Sequence, residues 1–178
     1  MTRISNAAWL FPCMLTNILQ NAIAMDVVLM GNSYTARNSL DQMLQAMMQE
    51  NGRGNVFSYT MGGATLAYHQ YALEGLLIDQ IPPVRQMLVK GQDNLDVVVL
   101  QDQSLVPGLA RHEELFQDSI EAAKIIDRYI EARGAEAMFF MTWGRRDGFS
   151  ARSDVYPTFL DMQSRLVEGY GEYAKAIS

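Results

Sequence analysis

Four short strings of polar and glycine residues each follow an apolar run: Gly31-Asn32-Ser33-Tyr34-Thr35, Met61-Gly62-Gly63-Ala64-Thr65, Gln101-Asp102-Gln103-Ser104 and Trp143-Gly144-Arg145-Arg146. Ser33 carries the chemistry of most interest. A serine placed directly after a strand and before a helix has an exposed hydroxyl, and its own N–H belongs to the unsatisfied donors of a helix N-terminus. It can attack a carbonyl and help hold the oxyanion that results. The same position also suits a plain helix cap by Ser33 or Thr35. The string is not the Gly-x-Ser-x-Gly elbow, because position 35 is threonine. A serine hydroxyl needs an adjacent base to become a nucleophile, and the chain has only two histidines, His69 and His112. His69 reads as a partly buried polar residue near the site. His112 reads as a solvated residue of a first helical turn. Trp143 is either a pocket wall or a core tryptophan. Arg145 and Arg146 are either a binding point for an anionic group or a solvated pair. No His/Asp/Glu cluster has metal spacing and no glycine-rich phosphate loop is present, so neither metal nor cofactor is expected.

These strings need elements to hold them together, and the hydrophobic periodicity supplies them. Asp26–Met30 (DVVLM) and Leu95–Leu100 (LDVVVL) are short apolar runs of the kind buried on both faces of a sheet. Asn55–Tyr59 and Ala137–Thr142 are two further strands. Helical spacing covers Ala36–Glu50, Ala64 to Ile78, a piece from Val84 to Lys90 after the Pro82-Pro83 break, Arg111–Ala132 and Tyr156–Ala176. The methionines of the first helix, Met43, Met47 and Met48, read as core. Strands that alternate with helices imply one α/β domain, a parallel sheet between two helical layers in a flavodoxin-like arrangement. Ligands then bind at the carboxyl ends of the strands, where all four polar strings lie.

Read together, Gly31-Asn32-Ser33, Gly63 with Ala64-Thr65, and Gln101-Asp102-Gln103-Ser104 resemble the first three blocks of the SGNH hydrolases, the GDSL-like esterase superfamily. The third block looks like a branch with a Leu-Gln-acid-Gln-Ser string and a Thr-Trp pair after the fourth strand. The resemblance spans about residues 26–177 in block order and spacing. It implies a three-layer α/β/α SGNH hydrolase fold and hydrolysis of a small-molecule or carbohydrate ester. Ser33 would be the nucleophile, Gly63 the second oxyanion donor, and Gln103, or Gln101, the amide donor in place of the family's Asn. Asn32, Tyr34, Gln101, Trp143 and His69 would be the binding residues around them. Asn32 stands where the family has Asp, at a position that mainly shapes the turn. The family's Asp-x-x-His block, with one more strand and helix, is expected beyond Ser178. Without it the chain is expected to turn over little substrate. Two other functions fit the same cleft: a non-catalytic domain that binds a glycan or a protein, and a flavodoxin-like module that binds flavin.

At 178 residues and 49% hydrophobic content the chain suits one core and one domain. A net charge of -6 provides no basic patch for nucleic-acid phosphates, so nucleic acid is not an expected partner. The lone Cys13 excludes an intrachain disulfide. Residues 1–24 carry Arg3, the apolar run Ala7–Leu19 and Ala22-Ile23-Ala24. They read either as a secretory signal peptide or as an N-terminal helix, and the first reading implies secretion. No run reaches the length of a membrane span. Oligomeric state is not legible.

Overall fold

A computed structural model of the chain describes residues 25–178 apart from residues 51, 53, 78–82 and 92–94. The segment before residue 25, with its two readings as signal or helix, lies outside the described residues. Four parallel strands run in the order β2-β1-β3-β4: β1 Val27–Gly31, β2 Val56–Thr60, β3 Val97–Leu100 and β4 Glu136–Phe139. β1 is buried along its whole length. Its alternate residues divide the core. Val28 and Met30, with Val98 and Leu100 of β3, face one layer, and Val27 and Leu29 face the other.

The first layer holds α3 Leu66–Glu74, α4 Pro83–Leu88, α5 Glu114–Glu131 and α6 Phe159–Ala176. They supply Leu66, Leu73, Val84, Leu88, Phe116, Ile126, Ile130, Met162 and Leu166 to the larger cluster. α5 shows the amphipathic stripe expected of it, with Phe116, Ala122, Ala123, Ile126 and Ile130 buried, but Leu115, expected on the same stripe, is 57% exposed. The opposite layer is α2 Leu40–Glu50, which meets the sheet through Leu40, Leu44 and Met48. The sheet order reverses between β1 and β3, because the connection from β1 leads to one side and the strand after β2 lies on the other. The crevice at that switch point lies between the carboxyl ends of the two strands that precede Asn32-Ser33 and Gln101–Ser104.

Several boundaries differ from the sequence expectation, each for a local reason. The first helix is two: α1 Ser33–Ala36, then a 3₁₀ turn Arg37–Ser39, then α2. Asn38 (φ 60°) and Ser39 (φ 53°) are left-handed and break the spiral, which no glycine or proline announces. Met43 and Met47 are not core. They flank the sheet-facing stripe and are 57% and 63% exposed, while Met48 is buried. α3 stops at Glu74 because Gly75 adopts a left-handed C-terminal cap (φ 77°), and Leu76 N–H bonds to the Tyr71 carbonyl. β4 is shorter than Ala137–Thr142. α6 starts at Phe159, capped by Thr158, because residues 144–157 form a loop pinned by the Tyr156 hydroxyl, which donates to the Leu105 carbonyl. No described helix is long and apolar enough to cross a membrane.

Candidate active site

Asn32 holds the site together. As the residue before α1 it accepts the Tyr34 N–H on Oδ1 at 3.1 Å, so the cap is Asn32 and neither Ser33 nor Thr35. Its Nδ2 donates to the Ala64 carbonyl at 3.0 Å and to the Asp102 carbonyl at 3.3 Å. One buried amide thus fastens the loops after β1, β2 and β3 to each other. The position does more than shape a turn.

Gln101 is fully buried, and both ends of its amide are engaged. Oε1 accepts Asn32 N–H at 3.0 Å and the Thr35 hydroxyl at 2.8 Å, and Nε2 donates to the Asp102 carbonyl. The Gln101 amide therefore serves the β1 loop. Gly31 is required beside it, since a Cβ there would stand 2.3 Å from Thr35 Oγ1 and 2.7 Å from Gln101 Oε1. Asp102, also fully buried, accepts Leu66 N–H (3.0 Å) and Gln103 N–H (2.7 Å) on Oδ1, and the Tyr173 hydroxyl (2.7 Å) on Oδ2. Burial pushes its carboxyl above the ordinary value, while the donors from Tyr173, Leu66 and Gln103 pull the other way. The Asp102 carboxyl ties the start of α3, the β3 loop and α6 at one point.

Among the expected site residues, three donors and one hydroxyl are left over around this scaffold. Ser33 is exposed, and among the described residues neither its Oγ nor its N–H has a protein partner. Gly63 is exposed with φ 73°, a left-handed conformation that glycine adopts freely, and its N–H is also untaken. Gln103 accepts Leu105 N–H on Oε1 at 2.6 Å, and its amide nitrogen has no protein partner among the described residues.

His69 belongs to the scaffold and is fully buried, not partly buried as its sequence context implied. Its Nε2 stands 3.0 Å from the Gly31 carbonyl, and Tyr59 and Tyr68 pack edge-on to the ring at 5.5 and 5.8 Å. Burial lowers its pKa to about 4, partly offset by the Gly31 carbonyl, so the ring is neutral and donates from Nε2. With no exposed surface, its expected binding role would have to be indirect, through Gly31. The same holds for the buried Asn32 and Gln101.

A cavity of about 540 Å³ opens beside Ser33, lined by Ser33, Tyr34, Arg37, Asn38, Leu40, Met43, Phe140 and Trp143. Tyr34 and Trp143 meet there with ring centroids 5.0 Å apart. Trp143 is 53% exposed, which removes the core-tryptophan alternative. Of the expected site residues the cavity takes in Ser33, Tyr34 and Trp143, while Gly63 and Gln103 lie outside its lining. Arg37, Asn38, Leu40, Met43 and Phe140 also line it and were not among the expected site residues, and the kink at residues 38–39 interrupts the single helix on which Leu40 and Met43 were placed. Arg145 lies 4.3 Å over the Phe149 ring and Arg146 pairs with Asp147 at 2.8 Å, so each has a partner elsewhere. No histidine lines the cavity. Among the described residues no three His, Cys, Asp or Glu side chains cluster to hold a metal ion.

No protein-family model matches the chain, and no curated protein sequence matches it. Solved structures do. A protein from Slackia heliotrinireducens assigned to the SGNH hydrolases superposes with a TM-score of 0.67 at 24% identity, over 85% of this chain and 74% of that one. The chain has the SGNH hydrolase fold. An acetyl xylan esterase shares this fold at a TM-score of 0.56 and 11% identity, over 85% of this chain and 73% of that one. So does a GDSL-like lipase from Bacteroides thetaiotaomicron, at 0.51 and 14%, over 85% and 64%. In SGNH-fold terms, the loops that follow β1, β2 and β3 here are the ones joined through Asn32, Gln101 and Asp102.

Proposed function

We propose that the chain is the greater part of a serine ester hydrolase of the SGNH superfamily. Ser33 attacks the ester carbonyl, and the N–H groups of Ser33 and Gly63 with the Gln103 amide hold the oxyanion. The observation that carries this reading is the set of unused groups: an exposed, unpartnered serine hydroxyl at a helix start, with three untaken donors on loops that one buried amide joins. Such donors, fixed before the reaction, stabilise developing charge without reorganisation. Between Gln101 and Gln103, the choice of Gln103 rests on the engaged amide of the former.

The proton of Ser33 needs a base. His69 is enclosed and donates to Gly31, and no histidine lines the cavity at Ser33. We assign the base to a histidine outside these 178 residues, in an Asp-x-x-His string downstream. The chain alone then turns over little substrate. A panel of p-nitrophenyl esters tests this on the chain and on a product extended through such a string. The extended protein should hydrolyse them and Ser33→Ala should abolish it. Strong Ser33-dependent hydrolysis by the 178-residue chain would refute the assignment of the base, and labelling of another serine would refute the nucleophile. The lack of a histidine at the cavity also favours a second reading, a non-catalytic domain that binds a glycan or protein. That reading requires binding that survives Ser33→Ala and no esterase activity in the extended product.

A further inference from the structure

The cavity beside Ser33 has a chemical character of its own. Its walls are Tyr34, Leu40, Met43, Phe140 and Trp143, with Ser33, Arg37 and Asn38 as its polar members, and its volume of about 540 Å³ falls in the range of small-molecule sites. Met43 and Trp143 are 57% and 53% exposed. A single exposed apolar side chain is ordinary, whereas two large ones lining one concavity are a surface that an apolar ligand would cover. Methionine adapts its shape to such ligands, and the Tyr34–Trp143 pair provides a rigid aromatic wall.

The backbone supports a built site. Asn38 (φ 60°, ψ 21°) and Ser39 (φ 53°) are consecutive non-glycine residues in a conformation such residues seldom adopt. This strained turn ends α1 after four residues and starts α2, bringing Leu40 and Met43 into the lining that Ser33 shares. Two further facts fix what the cavity would hold. The proposed oxyanion donors Gly63 and Gln103 do not line it, so it receives a substituent of the carbonyl and not its oxygen. The acyl part stays bonded to Ser33 Oγ once the alcohol has left, and Ser33 lines the cavity, so the substituent the cavity retains is the acyl part. The lining is mostly apolar, which suits a hydrocarbon chain better than a sugar, whose several hydroxyls would each need a polar partner.

We propose that this cavity is an acyl-chain subsite that favours esters of apolar acids, from hexanoyl to decanoyl, over acetyl esters. The inference rests on the acyl-transfer reading of Ser33. Trp143 gives the readout, because Trp9→Phe leaves it as the sole tryptophan of the full chain. The chain is titrated, below micelle-forming concentrations, with butanoate, hexanoate, octanoate and decanoate, and with the matching primary alcohols as neutral controls for the charge of Arg37. The expected result is a blue shift of Trp143 fluorescence, with Kd falling roughly threefold to fourfold per added methylene in both series. Met43→Glu should remove the length dependence, with circular dichroism to verify that the fold is kept. A Kd independent of chain length overturns the proposal, as does a response to xylose or glucose without one to octanoate.

The two readings fail separately. In the extended protein, acylation of Ser33 as fast from acetyl as from octanoyl donors overturns the subsite and leaves the nucleophile standing. Length-dependent binding that persists in Ser33→Ala, with no Ser33 acylation in the extended protein, supports the subsite and overturns the acyl transfer.

Discussion

At the scale of single residues, the amide at position 32 and the imidazole at position 69 do the structural work beneath the exposed Ser33. Asn32 can donate to two carbonyls and accept an N–H at once, which a carboxylate cannot. Asn32→Asp turns a buried donor into an acceptor that faces the Ala64 and Asp102 carbonyls. It should cost about 3 kcal/mol in urea unfolding, the order expected for an unpaired buried polar group with added charge. His69 makes stability depend on acid. Its folded pKa, about 4, lies below the ordinary 6.5, so the stabilisation of the neutral ring is complete above pH 6.5 and is lost as pH falls through 4. Replacing it with Gln keeps a donor for Gly31 and removes the titration. Over that window the unfolding free energy of His69→Gln should fall less than that of the wild type, by on the order of 3 kcal/mol. Parallel curves for the two proteins would contradict this role of His69. The tying roles were not legible in the sequence, because the carbonyls that Asn32 reaches lie 32 and 70 residues away, and the Asn32 N–H that Gln101 accepts and the Gly31 carbonyl that His69 meets are as remote. The residue types marked a site. Only the fold separated the groups that hold it from the groups left free.

At the scale of elements, the legible parts were those with a strong period or an uninterrupted apolar run. Val27–Gly31 and Val97–Leu100 fall where DVVLM and LDVVVL put them, and α5 differs from its expected range by a few residues at the start. The 3₁₀ turn at Arg37–Ser39 was not legible, because its left-handed residues are Asn and Ser and the apolar spacing runs straight through it. That turn gives a sharp test. Ser39→Gly relieves a left-handed side chain, whereas Ser39→Val adds a β-branched one at φ 53°. The valine variant should be less stable than the glycine variant by about 1–2 kcal/mol in chemical unfolding. Equal stabilities would mean that the turn at 38–39 is not strained.

At the scale of the whole molecule, the parallel sheet and its helical layers followed from the alternation of elements, while the strand order and the coverage of the sheet did not. Among the described residues β4 pairs only with β3, and its far edge borders a cavity of about 770 Å³ whose lining includes Met138, Phe139, Met141, Val167 and Ile177. Met138, Met141 and Val167 are 52%, 41% and 50% exposed. An open parallel edge beside apolar side chains is a template for pairing, guarded by Glu136 on the strand and by Asp127 and Glu131 beside it. The chain of 178 residues should therefore self-associate, with an elution volume in size-exclusion chromatography that shifts with concentration. Met138→Lys should move it toward the monomer, and a clean monomer at every concentration would contradict this. The proposed mechanism requires that the loops after β1, β2 and β3 leave one reactive hydroxyl, that of Ser33. Peptide-mapped mass spectrometry tests it directly, on the chain treated with a fluorophosphonate in the presence of imidazole as an external base. One adduct is expected, on Ser33, absent from Ser33→Ala. An adduct on another serine, or none at all, would contradict it.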